Sequence, residues 1–272
     1  MNGAGVSFIH LSDCHLGEGP EARVYGADTG SALEAVVAHI NTLDPPPSFV
    51  IFGGDLVSPD LGAEPFAVAE DAGHRKYDDA YAYFRKIVAP LQVPAHFAVG
   101  NHDSRASLRK VLLDEEPRDE PCDYHFEVNG CVFIVLDTQD PGHVAGLLAD
   151  GQLGWLERTL EGISADKPVV IVCHHPPVAI DIPYLDQFRL QEPERLFAVL
   201  ERFSNVRCLL CGHVHNERSL AAPLPILITP STGFQFRMQD GEIGVVPGEP
   251  AYRVVTLDDR DMQTRVIHVD AR

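Results

Sequence analysis

The chain alternates between short hydrophobic runs and longer segments in which hydrophobic residues recur every three or four positions. Short runs bounded by glycine, proline or polar residues predict strands, whereas the longer spacing predicts amphipathic helices. The predicted strands are Val6–Leu11, 49–52, 95–99, 125–128, 131–137, Val169–Cys173, Val206–Cys211, 226–229, 233–238, 252–258 and 262–269. The predicted helices are 31–43, 78–88, 104–113, 152–161 and 193–203. This mixture predicts an α/β fold in which sheets are buried between outer helices.

Local signals add two expectations to this pattern. Ser31 stands at the start of the first predicted helix with Glu34 three residues later, which is the spacing of a capping box. Residues 59–75 lack clear periodicity and are long for a connection, so we expect a functional loop there. No linker, repeat or low-complexity tract divides the chain, and residues 1–272 are therefore predicted to form a single domain.

Composition and charge exclude several classes of function. Asp and Glu number 40 against 21 Lys and Arg, which gives a formal net charge of −19. Because nucleic acids and anionic lipid surfaces are bound by clustered Lys and Arg, this balance argues against both partners. No apolar run approaches the roughly 18 residues that span a bilayer, and the first residues lack the features of a secretory signal. Six cysteines are too sparse for a disulfide scaffold, so we expect a cytoplasmic protein.

Residues with metal-binding side chains follow five of the predicted strands, each at the carboxyl end of its strand. They occur in the segments Asp13-Cys14-His15, Gly54-Asp55, Gly100-Asn101-His102-Asp103, His174-His175 and Gly212-His213-Val214-His215. Open α/β sheets build their sites at this edge. Carboxylate, imidazole and amide groups are ligands for divalent Zn, Mn, Fe or Co. Seven such ligands suit two ions about 3.5–4 Å apart.

The five segments, in this order, resemble the signature of the calcineurin-like metallophosphoesterase superfamily and span residues 13–215. The resemblance implies a four-layer sandwich of two mixed β-sheets flanked by α-helices, with two divalent metal ions. It implies a first metal bound by Asp13, His15 and His215, a second bound by Asn101, His174 and His213, and Asp55 as the bridge between them. His175 is the alternative to His174 as the ligand.

The same resemblance implies roles for the residues that contact the substrate. His102 contacts the phosphate and protonates the leaving oxygen, and Asp103 orients His102. Substrate contacts are expected from His15, Asp55, Asn101, His102 and His215.

The tail of the chain narrows the resemblance further. Residues 229–236 (TPSTGFQF) and Pro250-Ala251-Tyr252-Arg253 resemble blocks of the bacterial class III cyclic nucleotide phosphodiesterases, with Ala251 where those proteins have Gly. This implies a phosphodiesterase that opens 3′,5′-cyclic nucleotides such as cAMP to 5′-monophosphates by attack of a metal-bridging hydroxide. A glycerophosphodiesterase or broad-specificity phosphodiesterase remains open, as does a non-catalytic scaffold, although no ligand is missing. The strands predicted within residues 223–272 could also form the contact of a homodimer.

Two further features have simple structural interpretations. Cys208 and Cys211 are three residues apart on a predicted strand, so their side chains should face opposite ways as buried apolar groups. Phe234 and Phe236 either stack on a nucleobase or pack in the core, and the sequence does not separate these alternatives.

Overall fold

The computed structural model describes residues 5–62, 73–221, 224–239, 242–247, 250–258 and 261–270. Its strands are β1 (Val6–Leu11), β2 (Val50–Phe52), β3 (Ala95–Phe97), β4 (Tyr124–Val128), β5 (Cys131–Leu136), β6 (Val169–Cys173), β7 (Val206–Cys211), β8 (Arg218–Leu220), β9 (Ile226–Ile228), β10 (Phe234–Gln239), β11 (Glu242–Pro247), β12 (Ala251–Leu257) and β13 (Met262–His268). Its helices are α1 (Thr29–Ile40), α2 (Gly73–Val88), α3 (Arg105–Leu112), α4 (Asp150–Glu161), α5 (Pro183–Asp186) and α6 (Pro193–Leu200).

Two large mixed sheets form the centre of the molecule. The first has the strand order β13-β12-β1-β2-β3, and the second has the order β4-β5-β6-β7-β9-β8. Strands β1, β2 and β3 run parallel in the first sheet, as do β5, β6, β7 and β9 in the second. Since parallel strands end at the same edge, each sheet collects the loops that follow its strands on one side.

Three hydrophobic layers hold these sheets between helices. Phe8, Phe49 and Phe133 belong to the cluster between the two sheets, and the Phe8 and Phe49 rings stack with centroids 5.1 Å apart. A second cluster joins the first sheet to α1, α2 and α3, and a third joins the second sheet to α4 and α6. The predicted sandwich of two mixed sheets flanked by helices is therefore confirmed.

The predicted start of the first helix is wrong. Helix α1 begins at Thr29, and its N-cap is Asp28, whose carboxylate accepts a hydrogen bond from the Ser31 N–H at 3.1 Å. Asp28 lies three residues before Ser31 and offers a carboxylate acceptor, so the helix starts there and Ser31 lies inside its first turn. Of the predicted loop 59–75, residues 63–72 lie outside the described part of the chain, and helix α2 begins at Gly73.

The paired cysteines face opposite sides of their strand, as predicted. Cys208 packs between the two sheets and Cys211 packs toward the helices of the second sheet, both fully buried. Among the described helices, none is long and apolar enough to cross a membrane.

Candidate metal centre

The loops that follow five strands, three from the first sheet and two from the second, meet at one edge of the two packed sheets. Strands β1, β2 and β3 of the first sheet lead into Asp13, Asp55 and Asn101, while β6 and β7 of the second sheet lead into His174 and His213. The predicted residues therefore come together from segments that are far apart in the sequence. The site depends on the packing of both sheets.

The backbone at these residues turns sharply. Five of the predicted metal ligands have a positive φ: Asp13 (56°), His15 (47°), Asp55 (51°), His213 (71°) and His215 (57°). This left-handed conformation is uncommon for residues other than glycine and is typically found at functional sites, where surrounding contacts hold it in place. Tight turns beyond the strand ends, rather than regular strand alternation, thus bring the paired ligands together.

Two glycines allow the loops to approach one another. Gly54 has a φ of +102°, and a Cβ added there would lie 2.8 Å from the backbone nitrogen of Gly100. A Cβ added at Gly100 would collide with the carboxylate of Asp55. Side chains at either position would push apart the loops that carry Asp55 and Asn101.

Asp13, His15 and His215 form a first group of converging donor atoms. The Nε2 atoms of His15 and His215 lie 3.0 Å apart, and Nε2 of His215 lies 3.5 Å from Oδ1 of Asp13. The opposite ring nitrogens are already engaged, because Nδ1 of His15 hydrogen-bonds with Ser58 Oγ at 2.6 Å and Nδ1 of His215 donates to the Phe234 carbonyl at 2.9 Å. Such bonds orient metal-binding imidazoles and direct their Nε2 lone pairs inward.

Asn101, His174 and His213 form a second group beside Asp55. Nε2 of His174 lies 3.2 Å from Oδ2 of Asp55, and Nδ1 of His213 lies 3.0 Å from Oδ1 of Asn101. His174 donates from Nδ1 to the Gly53 carbonyl at 2.8 Å, while its fully buried Nε2 has no hydrogen-bond partner of good geometry among the described residues. A buried lone pair of this kind is suited to a metal ion.

Asp55 lies between the two groups. Its Oδ2 is 3.2 Å from Nε2 of His174 and 3.7 Å from Nε2 of His15. One carboxylate therefore faces a histidine of each group, which is the placement that a bridging ligand requires.

The structure distinguishes His174 from its neighbour. Nδ1 of His175 hydrogen-bonds with the Thr138 hydroxyl at 2.7 Å, and its Nε2 donates to the Val144 carbonyl at 3.0 Å. A nitrogen of His175 lies within 4.8 Å of those of His174 and His213, but both of its ring nitrogens are in use. The geometry therefore favours His174 as the ligand.

The partner of His102 differs from the expectation. Nδ1 of His102 lies 2.7 Å from Oδ2 of Asp60, which accepts the ring N–H. Asp103 is turned away and accepts hydrogen bonds from the Leu56 N–H (3.1 Å), the Tyr81 O–H (2.8 Å) and the Gly100 N–H (2.9 Å). Asp103 thus stabilises the loops, and Asp60 orients His102. The sequence signal for Asp60 was weak, because it is a single acidic residue at the start of an aperiodic segment.

The electrostatics of the site suit cation binding. Burial lowers the pKa of His15 and of His213 well below the usual value, so both imidazoles are neutral and can offer a lone pair. Burial by itself opposes charge on Asp55, but the adjacent His174 holds the pKa of that carboxyl well below its usual range. The site therefore combines neutral imidazoles at His15 and His213 with an ionised carboxylate at Asp55.

The donor set fits divalent metal ions. The described residues include three overlapping groups of Asp and His whose ligand atoms lie within 4.8 Å of one another, and Asp13 and His174 each belong to two of them. Imidazole nitrogens combined with carboxylate and amide oxygens are typical ligands for ions such as Zn, Mn, Fe and Co.

Comparison with known proteins agrees with this geometry. The family model described as calcineurin-like phosphoesterase matches residues 6–217. The chain is 31% identical to a 3′,5′-cyclic adenosine monophosphate phosphodiesterase from Pseudomonas aeruginosa, over 98% of this chain and 91% of that protein. It is also 31% identical to a probable glycerophosphodiester phosphodiesterase from Arcobacter nitrofigilis, over 76% of this chain and 71% of that protein.

A solved structure supports the same fold. A dimetal phosphatase from Danio rerio superposes with a TM-score of 0.65 at 15% identity, over 95% of this chain and 98% of that one. The family predicted from the five sequence segments is thus confirmed. The chain is an enzyme of the calcineurin-like phosphoesterase family.

Proposed function

We propose that the protein is a dinuclear metal-dependent phosphodiesterase that hydrolyses small phosphodiesters, with 3′,5′-cyclic nucleotides such as cAMP as its preferred substrates. The observation that carries this proposal is the position of Asp55 between two groups of converging donor atoms. The names of the relatives support the choice of a diester, and the first of them supports cAMP. A non-catalytic scaffold is disfavoured because the full set of predicted ligands is assembled.

The ligand roles follow from the two groups. Asp13, His15 and His215 would hold one ion, Asn101, His174 and His213 would hold the other, and Asp55 would bridge them. Two divalent ions in these positions would stabilise charge on the phosphoryl oxygens and lower the pKa of bound water.

We expect His102 to act on the substrate beside Asp55, the proposed bridging carboxylate. Its backbone N–H donates to Oδ1 of Asp55 at 2.8 Å, and Asp60 holds its ring through Nδ1. The ring is thereby oriented with Nε2 as its second donor, which can give a proton to the departing oxygen. In a 3′,5′-cyclic nucleotide the oxygen of a deprotonated water would bond to phosphorus while the bond from phosphorus to O3′ breaks. The proton from His102 would go to O3′, and a 5′-monophosphate would remain.

The space above the site favours a small substrate. The cavity lined by His15, Asp55, His102 and His215 has a volume of about 270 Å³. This is near the lower end of the range of about 300–1,000 Å³ that is typical of small-molecule pockets. The net charge of −19 also opposes the approach of a long polyanion such as a nucleic acid.

A substrate panel tests the proposal. Protein loaded in turn with Mn, Fe, Zn or Co is assayed for kcat/KM on cAMP, cGMP, glycerophosphocholine and bis(p-nitrophenyl) phosphate. We expect a cyclic nucleotide to give the highest value with at least one metal. A higher value on glycerophosphocholine would support the glycerophosphodiesterase alternative, to which the relative from Arcobacter nitrofigilis points. Absence of turnover on every diester with every metal would overturn the proposal.

A further inference from the structure

The cavity over the candidate metal centre has two chemically different parts. Its floor is made of five of the seven predicted ligands and His102, whereas its wall includes the apolar and aromatic side chains of Tyr25, Leu61, Val144, Tyr184, Phe188 and Phe236. Within the described part of the chain, no Lys or Arg lines this cavity. The floor can take a phosphate, but the wall offers no positive charge to the rest of the substrate.

Tyr184 and Phe188 form an aromatic pair at the rim. Their ring centroids lie 5.5 Å apart at an interplanar angle of 74°, the edge-to-face arrangement that aromatic side chains favour. Tyr184 is 42% exposed although its ring is large, and Phe188 is partly buried. Exposed aromatic surface at the mouth of a cavity is the kind of surface that a ligand covers.

The segment that carries this pair is anchored on both sides. Leu185, next to Tyr184, is buried in the core of the second sheet, and Asp186 accepts a hydrogen bond from the Ile180 N–H at 2.7 Å. The Leu190 N–H donates to the Pro176 carbonyl at 3.0 Å and closes the segment at its base. The aromatic pair is thus held over the cavity by a fixed loop that leaves β6 directly after His174 and His175.

Across the cavity, the two phenylalanines of β10 have different roles. Phe234 is fully buried and packs behind the site, with its ring centroid 5.2 Å from that of His15. Phe236 is only partly buried and lies with its centroid 4.4 Å from the ring of His215. Phe234 is therefore a packing residue, and Phe236 adds apolar surface to the wall.

We propose that Tyr184 and Phe188 form a subsite for a planar aromatic substituent of the diester, such as a nucleobase, and so select among substrates. The inference rests on the proposed phosphodiesterase function. A planar ring can pack against the exposed aromatic surface that this pair adds to the cavity. A quaternary ammonium group such as choline is instead bound in a closed aromatic cage, and a rim with Tyr184 open to solvent is poorly suited to that.

The test compares two substrates that differ only in the base. Tyr184→Ala, Phe188→Ala and the double variant are assayed on cAMP and on ribose 3′,5′-cyclic phosphate without a base. We expect the double variant to raise KM for cAMP roughly 10- to 100-fold, while kcat/KM on the abasic compound changes less than about two-fold. Tyr184→Phe should retain the wild-type preference, because it keeps the ring. Leu113→Ala, an exposed residue outside the cavity, is the matched control.

Three outcomes would overturn the subsite. They are equal losses on both substrates, no change on either, or a larger loss on glycerophosphocholine than on cAMP, which would indicate a cage for choline. If the wild type hydrolyses bis(p-nitrophenyl) phosphate while one of these occurs, the subsite fails and the proposed function stands. If the wild type hydrolyses no diester, the proposed function fails, and equilibrium dialysis of adenosine with wild type and double variant then decides the subsite.

Discussion

The hydrogen bond between His102 and Asp60 fixes which ring nitrogen of His102 can reach a substrate. Its length is 2.7 Å, and it joins a partly buried imidazole to a carboxylate. A carboxylate at Nδ1 holds the tautomer and the orientation of the ring and stabilises its protonated form. Burial opposes that form, but Asp55 and Asp60 raise the pKa of His102 to about 9. Removing Asp60 should therefore impair proton donation without disturbing the metal ligands.

We expect Asp60→Asn to lower kcat about 10- to 100-fold while the bound metal per chain, measured by elemental analysis, stays at the wild-type level. Asp114→Asn, an exposed carboxylate paired with Arg85, is the control and should leave kcat unchanged. In a His102→Ala background, Asp60→Asn should cause no further loss, because the two residues act as one unit. Additive losses would contradict the role assigned to Asp60.

His96 gives a pH dependence that is separate from the site. Its ring stacks on Phe126 with centroids 3.5 Å apart, and burial lowers the pKa of His96 to about 4. The unfolded chain binds this proton near pH 6.5. The folded state does not bind it until about pH 4, so stability is retained above pH 6.5 and lost as the pH falls from 6.5 to 4.

We expect His96→Phe to remove part of this acid sensitivity, because it keeps the stack and abolishes the titration. Between pH 7 and pH 5, the free energy of unfolding should fall by about 1 kcal/mol less in His96→Phe than in wild type. The partial exposure of the ring keeps this difference small. Urea denaturation at both pH values measures it. If the free energy of unfolding changed equally with pH in wild type and in His96→Phe, this account would be contradicted.

At the scale of residues, the sequence predicted which side chains carry the chemistry better than it predicted their hydrogen-bond partners. His174 and His175 are adjacent and identical in type, and their different hydrogen-bond partners, such as Thr138 beside His175, separate them. Asp103 follows His102 directly, yet the chain turns it toward Tyr81. Hydrogen-bond partners that are distant in the sequence leave no local pattern. The sequence therefore does not predict the contact between Asp60 and His102.

Among the structural elements, the loop after β5 supports the loop after β3 through hydrogen bonds from Gln139. The side-chain amide of Gln139 donates to the carbonyls of Gly100 and Asp103 at 2.9 and 2.7 Å. Arg105 in turn donates to the Gln139 carbonyl at 2.8 Å and forms a buried ion pair with Asp137, its Nε 2.7 Å from Oδ2. One amide group thus links the second sheet to the loop of the first sheet that carries Asn101 and His102.

We expect Gln139→Leu to reduce the free energy of unfolding by about 1–3 kcal/mol, because the Asp103 carbonyl loses this donor and the Gly100 carbonyl keeps the Asp103 N–H at 3.3 Å in place of two donors. The same change should lower kcat about ten-fold through loss of order in the loop, a magnitude typical of residues that support a site indirectly. Chemical denaturation and steady-state kinetics measure the two effects. Gln92→Leu, at an exposed glutamine, should change stability by less than about 0.5 kcal/mol. Unchanged kinetics in Gln139→Leu would show that the hydrogen bonds of Gln139 do not affect the candidate metal centre.

The accuracy of the predicted elements depends on their length and burial. Val169–Cys173 and Val206–Cys211 were predicted with the bounds that the structure shows, because the first is a fully apolar run, the second is apolar except for Arg207, and both are followed by polar residues or glycine. Helix α5 and strands β8 and β11 were not predicted. Elements of three or four residues are too short to show a period, and β11 is only partly buried.

For the whole molecule, the candidate ligands link the two sheets, so bound metal should stabilise the complete fold. We expect the thermal midpoint to fall when metal-loaded protein is treated with a chelator, since a ligand at about 100 times its Kd stabilises by about 2.7 kcal/mol. His213→Ala should show a smaller difference between loaded and chelated protein, because it lacks one ligand. Glu201→Ala, on the surface after α6, is the control that should respond as wild type. A midpoint independent of chelator would contradict the metal centre.

The architecture was predictable at this scale because the alternation of strands and helices and the five polar segments agree on one arrangement. The sequence could not supply the packing of one sheet on the other. That packing rests on contacts such as the Phe8 ring against Phe133, with centroids 5.0 Å apart, which join residues distant in the chain. The apolar wall of the cavity could not be predicted from the sequence for the same reason.

The placement of the site across both sheets has a consequence for the synthesis of the protein. The first group of donors needs Asp13 near one end of the chain and His215 from far beyond its middle. A nascent chain that has left the ribosome only as far as β6 lacks His213 and His215, and so has neither group complete. Metal selection would then be made after strands of both sheets have formed, at the ion concentrations that surround the fold at that stage.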